Sequence, residues 1–198
     1  MRVLIACEES QAVCIEFRKL GHEAYSCDLL PCSGGHPEWH IKGSVINELY
    51  KDWDLVIAHP PCTRLANSGV KWLAERDLWQ EMYYACEFFN IFQSYASSGA
   101  KVCIENPIPH KYAVEYIGKY SQIIQPWQFG HPESKATCLW LYGLPKLQPT
   151  NIVSERRQSV WKMSPGPERA KLRSKTFPGI ARAMAEQWGG IHENPELL

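Results

Sequence analysis

One cysteine in this chain stands where a nucleophile would be held rigid. In the stretch from Leu55 to Gly69 an apolar run of strand type stops at Pro60-Pro61. Proline has no amide proton to give and forces the residue before it out of the helical region. Cys62 is therefore expected at a strand end, followed by a polar loop of Thr63, Arg64, Asn67 and Ser68 that can fold over a bound molecule. Open α/β sheets bind ligands beyond the carboxyl ends of their strands. A thiolate is the strongest nucleophile among ordinary side chains, and nearby positive charge lowers its pKa from about 8.5. Arg64, close behind Cys62, is the expected source of that charge.

A second strand, Lys101 to Ile104, runs into a loop opening Glu105-Asn106-Pro107. In a parallel sheet both strand ends share one edge, so the cysteine and the carboxyl address the same ligand. A carboxyl donates to or accepts from a ring nitrogen and an exocyclic amine, which lie together on one edge of cytosine. The pair suits addition to a pyrimidine. Thiolate attack at C6 pushes electron density to C5, which takes a methyl group from a sulfonium donor; loss of the C5 proton and of the thiol finishes the reaction.

The elements that must hold these groups follow from periodicity. Arg2 to Cys7 reads as a buried strand, Ser10 to Leu20 as a helix ending at Gly21, and Glu23 to Cys27 as a second strand closed by Asp28. An acidic residue ending the second strand is where such folds hold ribose hydroxyls. Leu30 to His40 reads as a loop; with Cys27 it spaces Cys27, Cys32, His36 and His40 as possible zinc ligands, the alternative being a loop that covers a cofactor. A short helix over Val45 to Tyr50 precedes the strand Asp54 to Ala58, and Trp72 to about Ser97 reads as one long amphipathic helix. Gln125 to Thr137 is a polar loop, Cys138 to Tyr142 a strand, and Ile180 to Trp188 the last helix, with fraying expected from Gly189. Ser154 to Ser174 carries Arg156, Arg157, Lys162, Arg169, Lys171 and Arg173, either a solvated face or a phosphate-holding segment. Cys7, Cys14, Cys86 and Cys103 fall on apolar faces as small core residues.

Composition narrows the class. The 198 residues suit one α/β domain, and 21 basic against 21 acidic residues leave no global field for a polyanion, so a local patch must hold one. Eight cysteines behind an opening that reads as a strand rather than a leader argue for a reducing, cytoplasmic compartment. No run approaches the roughly 20 apolar residues of a membrane span.

Pro60-Pro61-Cys62 after one strand, Glu105-Asn106-Pro107 after the next, and the opening strand-helix-strand ending at Asp28 resemble the DNA cytosine-5 methyltransferases, in their compact phage and prophage form. The resemblance covers most of the chain and implies a Rossmann-like methyltransferase fold that uses S-adenosylmethionine on DNA, in a single domain over 1–198 with a very short target-recognition segment around 147–173. It implies Cys62 as nucleophile and Glu105 as the holder of a flipped cytosine, with Arg64 and Lys135 as their cationic partners. The cofactor would lie along Cys7, Glu8, Glu9, Ser10, Asp28, Leu29, Ser44, His59 and Pro60. The base would meet Pro61, Asn67, Ser68, Asn106, Pro107 and Thr137. Ser134-Lys135-Ala136-Thr137 would stand for the family's Gln-Arg-Arg cluster, and Phe177-Pro178-Gly179 for the Gly-Asn that closes the cofactor site.

The chain departs from that family in its first loop, Ala6-Cys7-Glu8-Glu9-Ser10-Gln11, which has no glycine, so Glu8, Glu9 or Ser10 would replace backbone contacts to the methionine part. The short recognition segment implies little sequence specificity, or a context of about one to three bases, with the target flipped out of a duplex or presented single-stranded. Other readings stay open. His36-Pro37-Glu38 with Pro61-Cys62 partly matches zinc-dependent cytidine deaminases, although the second cysteine of that pattern is Leu65 here. Thymidylate-synthase-like enzymes also add a Pro-Pro-Cys thiol to C6, of a free nucleotide. A methyltransferase-like module that binds DNA or a partner without turnover is a further alternative.

Overall fold

The computed structural model describes residues 1–164, 166 and 169–190. Fraying does not begin at Gly189, which is buried at the end of the last helix; the rest of the expected fraying end, beyond residue 190, and the side chain of Lys171 lie outside what is described. Seven strands form one sheet: β1 (Arg2–Ala6), β2 (Glu23–Asp28), β3 (His40–Lys42), β4 (Leu55–Ala58), β5 (Lys101–Pro107), β6 (Gln122–Ile124) and β7 (Thr137–Tyr142). Their order is β3-β2-β1-β4-β5-β7-β6, and β7 alone runs antiparallel to both neighbours. The direction of winding reverses between β1 and β4, and ligands of such sheets bind at that switch.

Alternation along the strands splits the core in two. Val3, Ile5, Leu55, Ile57 and Cys103 point to one face, covered by α1 (Ala12–Lys19) and α8 (Pro178–Gly189) through Val13, Phe17, Met184 and Trp188. Leu4, Ala6, Val56, Ala58, Val102 and Ile104 point to the other, covered by α3 (Lys71–Glu75), α4 (Trp79–Tyr95) and α5 (Lys111–Ile117). A short helix α2 (Val45–Glu48) precedes β4, and two more, α6 (Ser159–Lys162) and α7 (Arg169–Ser174), lie in the basic segment. Each central strand meets apolar side chains on both faces, which is why its sequence is a continuous apolar run.

Several expectations need correction. The helix expected over Trp72 to Ser97 is two, broken at Asp77, whose φ of 51° lies in the left-handed region. Leu73 before the break and Leu78, Met82 and Cys86 after it pack in the same core cluster, so the apolar rhythm continues across the break. β5 does not stop at Ile104: its antiparallel pairing with β7 carries it through Glu105, Asn106 and Pro107, which are strand and not loop. The supposed loop before His40 ends in β3, a three-residue edge strand, and α5 and β6 were not foreseen. All eight cysteines are free thiols. Among the described residues no helix is long and apolar enough to cross a membrane.

Candidate active site

Register sets the site. β4 and β5 pair in parallel with Ala58 beside Ile104, so the next residues, His59 and Glu105, come side by side. His59 donates its backbone amide to Ala6 (2.9 Å), extending the sheet one residue further. Its ring Nδ1 lies 2.8 Å from Glu105 Oε2, with each side chain only 12–13% exposed. Pro60 and Pro61 then carry the chain off the sheet, and the Cys62 carbonyl accepts from Leu65 and Ala66 (3.0 and 2.9 Å), folding the chain into a tight turn with the half-buried thiol at its start. On the other side of the strand pair Asn106, 1% exposed, donates from Nδ2 to the Pro60 carbonyl (2.9 Å). The turn that carries the cysteine is thus tied to the strand that carries the carboxylate.

Two distant segments complete the cluster. Lys135, in the loop before β7, donates from Nζ to the carbonyl of Arg173 (2.7 Å), and the Thr176 hydroxyl lies 3.4 Å from Glu105 Oε2. The basic segment is pinned beside that loop: the Arg157 amide donates to Pro132 and the Ser134 amide to Arg157, while the buried Glu133 carboxylate accepts from the Ser159 amide (3.1 Å). A cavity of about 360 Å³ opens between Ser10 and Ala12 on one wall and Arg173, Lys175, Thr176 and Phe177 on the other.

The charges shift one another. Burial alone would disfavour an imidazolium at His59, but the Glu105 charge and hydrogen bond, with Glu8 behind, raise its pKa above the ordinary 6.5. Burial pushes Glu105 up, but the His59 charge and hydrogen bond, Lys135 and the Thr176 hydroxyl hold its carboxyl below the ordinary 4.5. For Cys62 burial wins and the thiol is raised above its ordinary value, with Lys135 and Arg173 pulling it down and Glu105 adding to the rise. The expected activation by Arg64 is therefore corrected: its guanidinium pairs with Glu81 of α4 at 2.6 Å, an ion pair near the surface.

The remaining expected residues separate. Glu8 is buried and its carboxylate caps α1, accepting from the Val13 and Cys14 amides (2.7 and 3.3 Å), so it is committed to the fold. Cys7 takes a φ of 58°, and burial, with Asp28 and Cys27 adding to it, pushes its thiol up to about 12. Glu9 and Ser10 lie in the same loop, where the Ser33 amide donates to the Glu9 carbonyl and Ser10 lines the cavity. Asp28 ends β2 as expected, and its Oδ1 accepts from the Leu30 amide (2.9 Å); Leu29 is exposed, and Ser44 precedes α2 without a side-chain cap. Asn67 and Ser68 are exposed, with the Asn67 amide held by the Ile108 carbonyl. Thr137 is buried opposite Pro107, with its hydroxyl on the Lys135 carbonyl.

The possible zinc set is not assembled. His40 engages Ser26 Oγ through Nδ1 and the Leu30 carbonyl through Nε2, Cys27 is buried in the core, and His36 stacks on Trp39. Among the described residues no group of three or more metal-ligating side chains comes together. Sequence reasoning missed Thr176 and the part of Arg173 in the cluster. The basic run pointed toward Arg173; nothing local marks Thr176.

No family model matches the chain, and no curated protein matches it. Among solved structures it is similar to the Entamoeba histolytica methyltransferase EhMeth, with a TM-score of 0.50 at 14% identity over 76% of this chain. The chain spans 57% of the length of that structure. Identity this low speaks for the fold alone, and the fold is a Rossmann-like one shared with a methyltransferase.

Proposed function

We propose that the chain transfers a methyl group from S-adenosylmethionine to C5 of cytosine in DNA through a covalent Cys62 adduct at C6. The observation that carries this reading is the junction of the end of β4 with β5: a cysteine on a proline-stiffened turn, tied by Asn106 to the strand that presents Glu105. A nucleophile and a carboxyl fixed to one frame are what addition to a pyrimidine needs.

The residues fit the proposed cofactor. The α1 amides that would cradle a phosphate are already taken by Glu8, which disfavours a dinucleotide and suits a donor without phosphates. The cavity beside Ser10 has a ligand-sized volume and brings Arg173 and Lys175 toward a carboxylate, while Asp28 ends the strand that usually meets a ribose. When bound, S-adenosylmethionine supplies an electrophilic methyl group. The chain's own residues do the rest. The Cys62 thiol gives its proton to solvent as Sγ forms a bond to C6 and the ring's electrons shift toward C5 and N3; Glu105 holds the N3 and N4 edge; after C5 has taken the methyl group it gives its proton to solvent and the Sγ–C6 bond breaks, releasing the thiolate. The base must leave a duplex or arrive single-stranded to reach a thiol set back in a turn.

The test is incubation with labelled S-adenosylmethionine and cytosine-rich single- and double-stranded DNA, with mass spectrometry of the nucleosides. The expected result is 5-methylcytosine from the wild type and none from Cys62→Ser. Absence of transfer on both substrates refutes the reading.

A further inference from the structure

His59 stands beside the reacting groups and has no part in the scheme so far. Its Nδ1 is 2.8 Å from Glu105 Oε2, and its Nε2 is sealed from solvent without a hydrogen-bond partner. An imidazole that merely filled space would have no reason to aim its donor at the one carboxylate expected to meet the base. Both the His59 and the Thr176 contacts fall on Oε2, leaving Oε1 as the oxygen to face a ring. The charged and titratable groups facing this pair come from four directions: Glu8 after β1, Cys62 after β4, Lys135 before β7, and Arg173 at the end of α7. Facing His59 and Lys135, Glu105 is held as a carboxylate, so it accepts from the N4 amine but has no proton of its own for N3. Two donors point at its Oε2, the Thr176 hydroxyl at 3.4 Å and His59 Nδ1 at 2.8 Å, and of these only the imidazolium carries an acidic proton.

We propose that His59 is a positioning residue that stores the proton Glu105 passes to the pyrimidine. The assignment rests on the reading of Cys62 as the nucleophile at C6. As the Sγ–C6 bond forms, the C5=C6 electron pair moves toward C4 and the C4=N3 pair settles on N3. The proton on His59 Nδ1 crosses to the Glu105 carboxylate and on to N3; the N–H bonding pair stays on Nδ1, the imidazole is left neutral, and Glu105 is again a carboxylate. When the Sγ–C6 bond breaks, N3 returns the proton by the same path. Through this relay one proton goes out and comes back, while the thiol proton and, after methyl transfer, the C5 proton leave to solvent. The sealed Nε2 fits this task, because without a partner or solvent there the proton exchanges through Glu105.

The test uses the full chain and two measurements. His59→Asn places an amide donor where Nδ1 was but has no proton to release. With labelled cytosine DNA and saturating cofactor it is expected to fold, to keep KM within about twofold, to lose about 100-fold in kcat, and to lose the wild type's decline at alkaline pH. Separately, nitrogen-15 spectra of the protein without substrate are expected to show the His59 ring staying protonated above its ordinary 6.5 in the wild type and reverting in Glu105→Gln. His59→Asn transferring within threefold of wild type with an unchanged pH profile overturns the proposal, as does a wild-type His59 that titrates at or below 6.5. Should the wild type methylate nothing, the reaction assignment fails and this role with it; a ring shift that still depends on Glu105 would then locate the error in the reaction rather than in the pair.

Discussion

Replacing Asn106 by Leu should separate the stability of this protein from its chemistry. Asn106 Nδ2 donates to the Pro60 carbonyl at 2.9 Å, and Pro60 is buried. Leucine nearly matches the shape of asparagine, so packing is kept and the carbonyl is left unpaired, at a cost of roughly 1–3 kcal/mol. Against that, Asn106 Oδ1 is itself buried without a partner, and removing it recovers a similar desolvation cost. The two nearly offset, so the net loss should be about 1 kcal/mol, a fall in Tm of roughly 2–4 °C for a chain of this size. The turn is another matter. With the tie gone, Cys62 is held only by the prolines and its own carbonyl turn, and a displacement of about 1 Å costs on the order of 100-fold in rate. Thermal unfolding and single-turnover methyl transfer, measured on the same preparation, decide it. A large fall in Tm with transfer unchanged per folded molecule would refute the reasoning, because the tie would then serve the fold and not the nucleophile.

Lys135→Met should raise the Cys62 thiol further and slow its alkylation by iodoacetamide at pH 8, whereas Arg64→Met should leave the alkylation profile in place, because that guanidinium is held by Glu81; peptide mass spectrometry reads both. Glu105→Gln should cost roughly 1.5–3 kcal/mol in a pH window fixed by the pair. The raised His59 contributes stability below its ordinary 6.5, lost as pH rises through its folded value, and the lowered Glu105 contributes above its ordinary 4.5, lost as pH falls through its folded value; the Tm gap to wild type should thus be widest between pH 4.5 and 6.5. Gly179→Ala puts a Cβ 1.9 Å from the Phe129 carbonyl oxygen and 2.9 Å from His131 Nε2, so α8 must leave its seat; thermal unfolding should show a loss above about 3 kcal/mol.

What could be read from the sequence was what is local and periodic. β1, β4 and β7 announce themselves as apolar runs, β2 by its place between the Gly21 helix stop and Asp28, and Cys62 is marked because two prolines leave a strand no way to continue. The elements that escaped lack such signals. β3 and β6 have three residues each, too few to show a period. α5 begins at His110, whose Nδ1 accepts from the Ala113 amide while its Nε2 donates to the Arg64 carbonyl, a cap outside the usual serine, threonine, aspartate and asparagine set. The break at Asp77 is one residue's choice of a left-handed φ, invisible beneath an unbroken apolar rhythm. Charge pairing was the least legible. Arg64 is near Cys62 in sequence, but its long side chain reaches Glu81, 17 residues on, while the cations that act on the thiol come from Lys135 and Arg173. Chain proximity fixes where a backbone is; it does not fix where a flexible charged side chain ends.

The arrangement of these charges bears on how a half-buried thiol would be switched on. A strand end set between helices is poorly solvated, and a lone ion there would give up its proton or take one. Here the Glu105 carboxylate faces His59 and Lys135, while burial pushes the Glu8 carboxyl up against the pull of His59 and the two α1 amides. The thiol gains little from this balance: the nearest carboxylate cancels part of what Lys135 and Arg173 provide, and burial decides in favour of the protonated form. A resting thiol therefore follows from the same pairing that keeps Glu105 ionised. Under the proposed reaction, activation would come with the substrate, because a pyrimidine edge that drew on Glu105 would weaken the negative charge opposing the thiolate and leave Lys135 and Arg173 to favour it. On this argument the cysteine is guarded against idle oxidation or alkylation in the free protein and becomes nucleophilic when a base occupies the carboxylate.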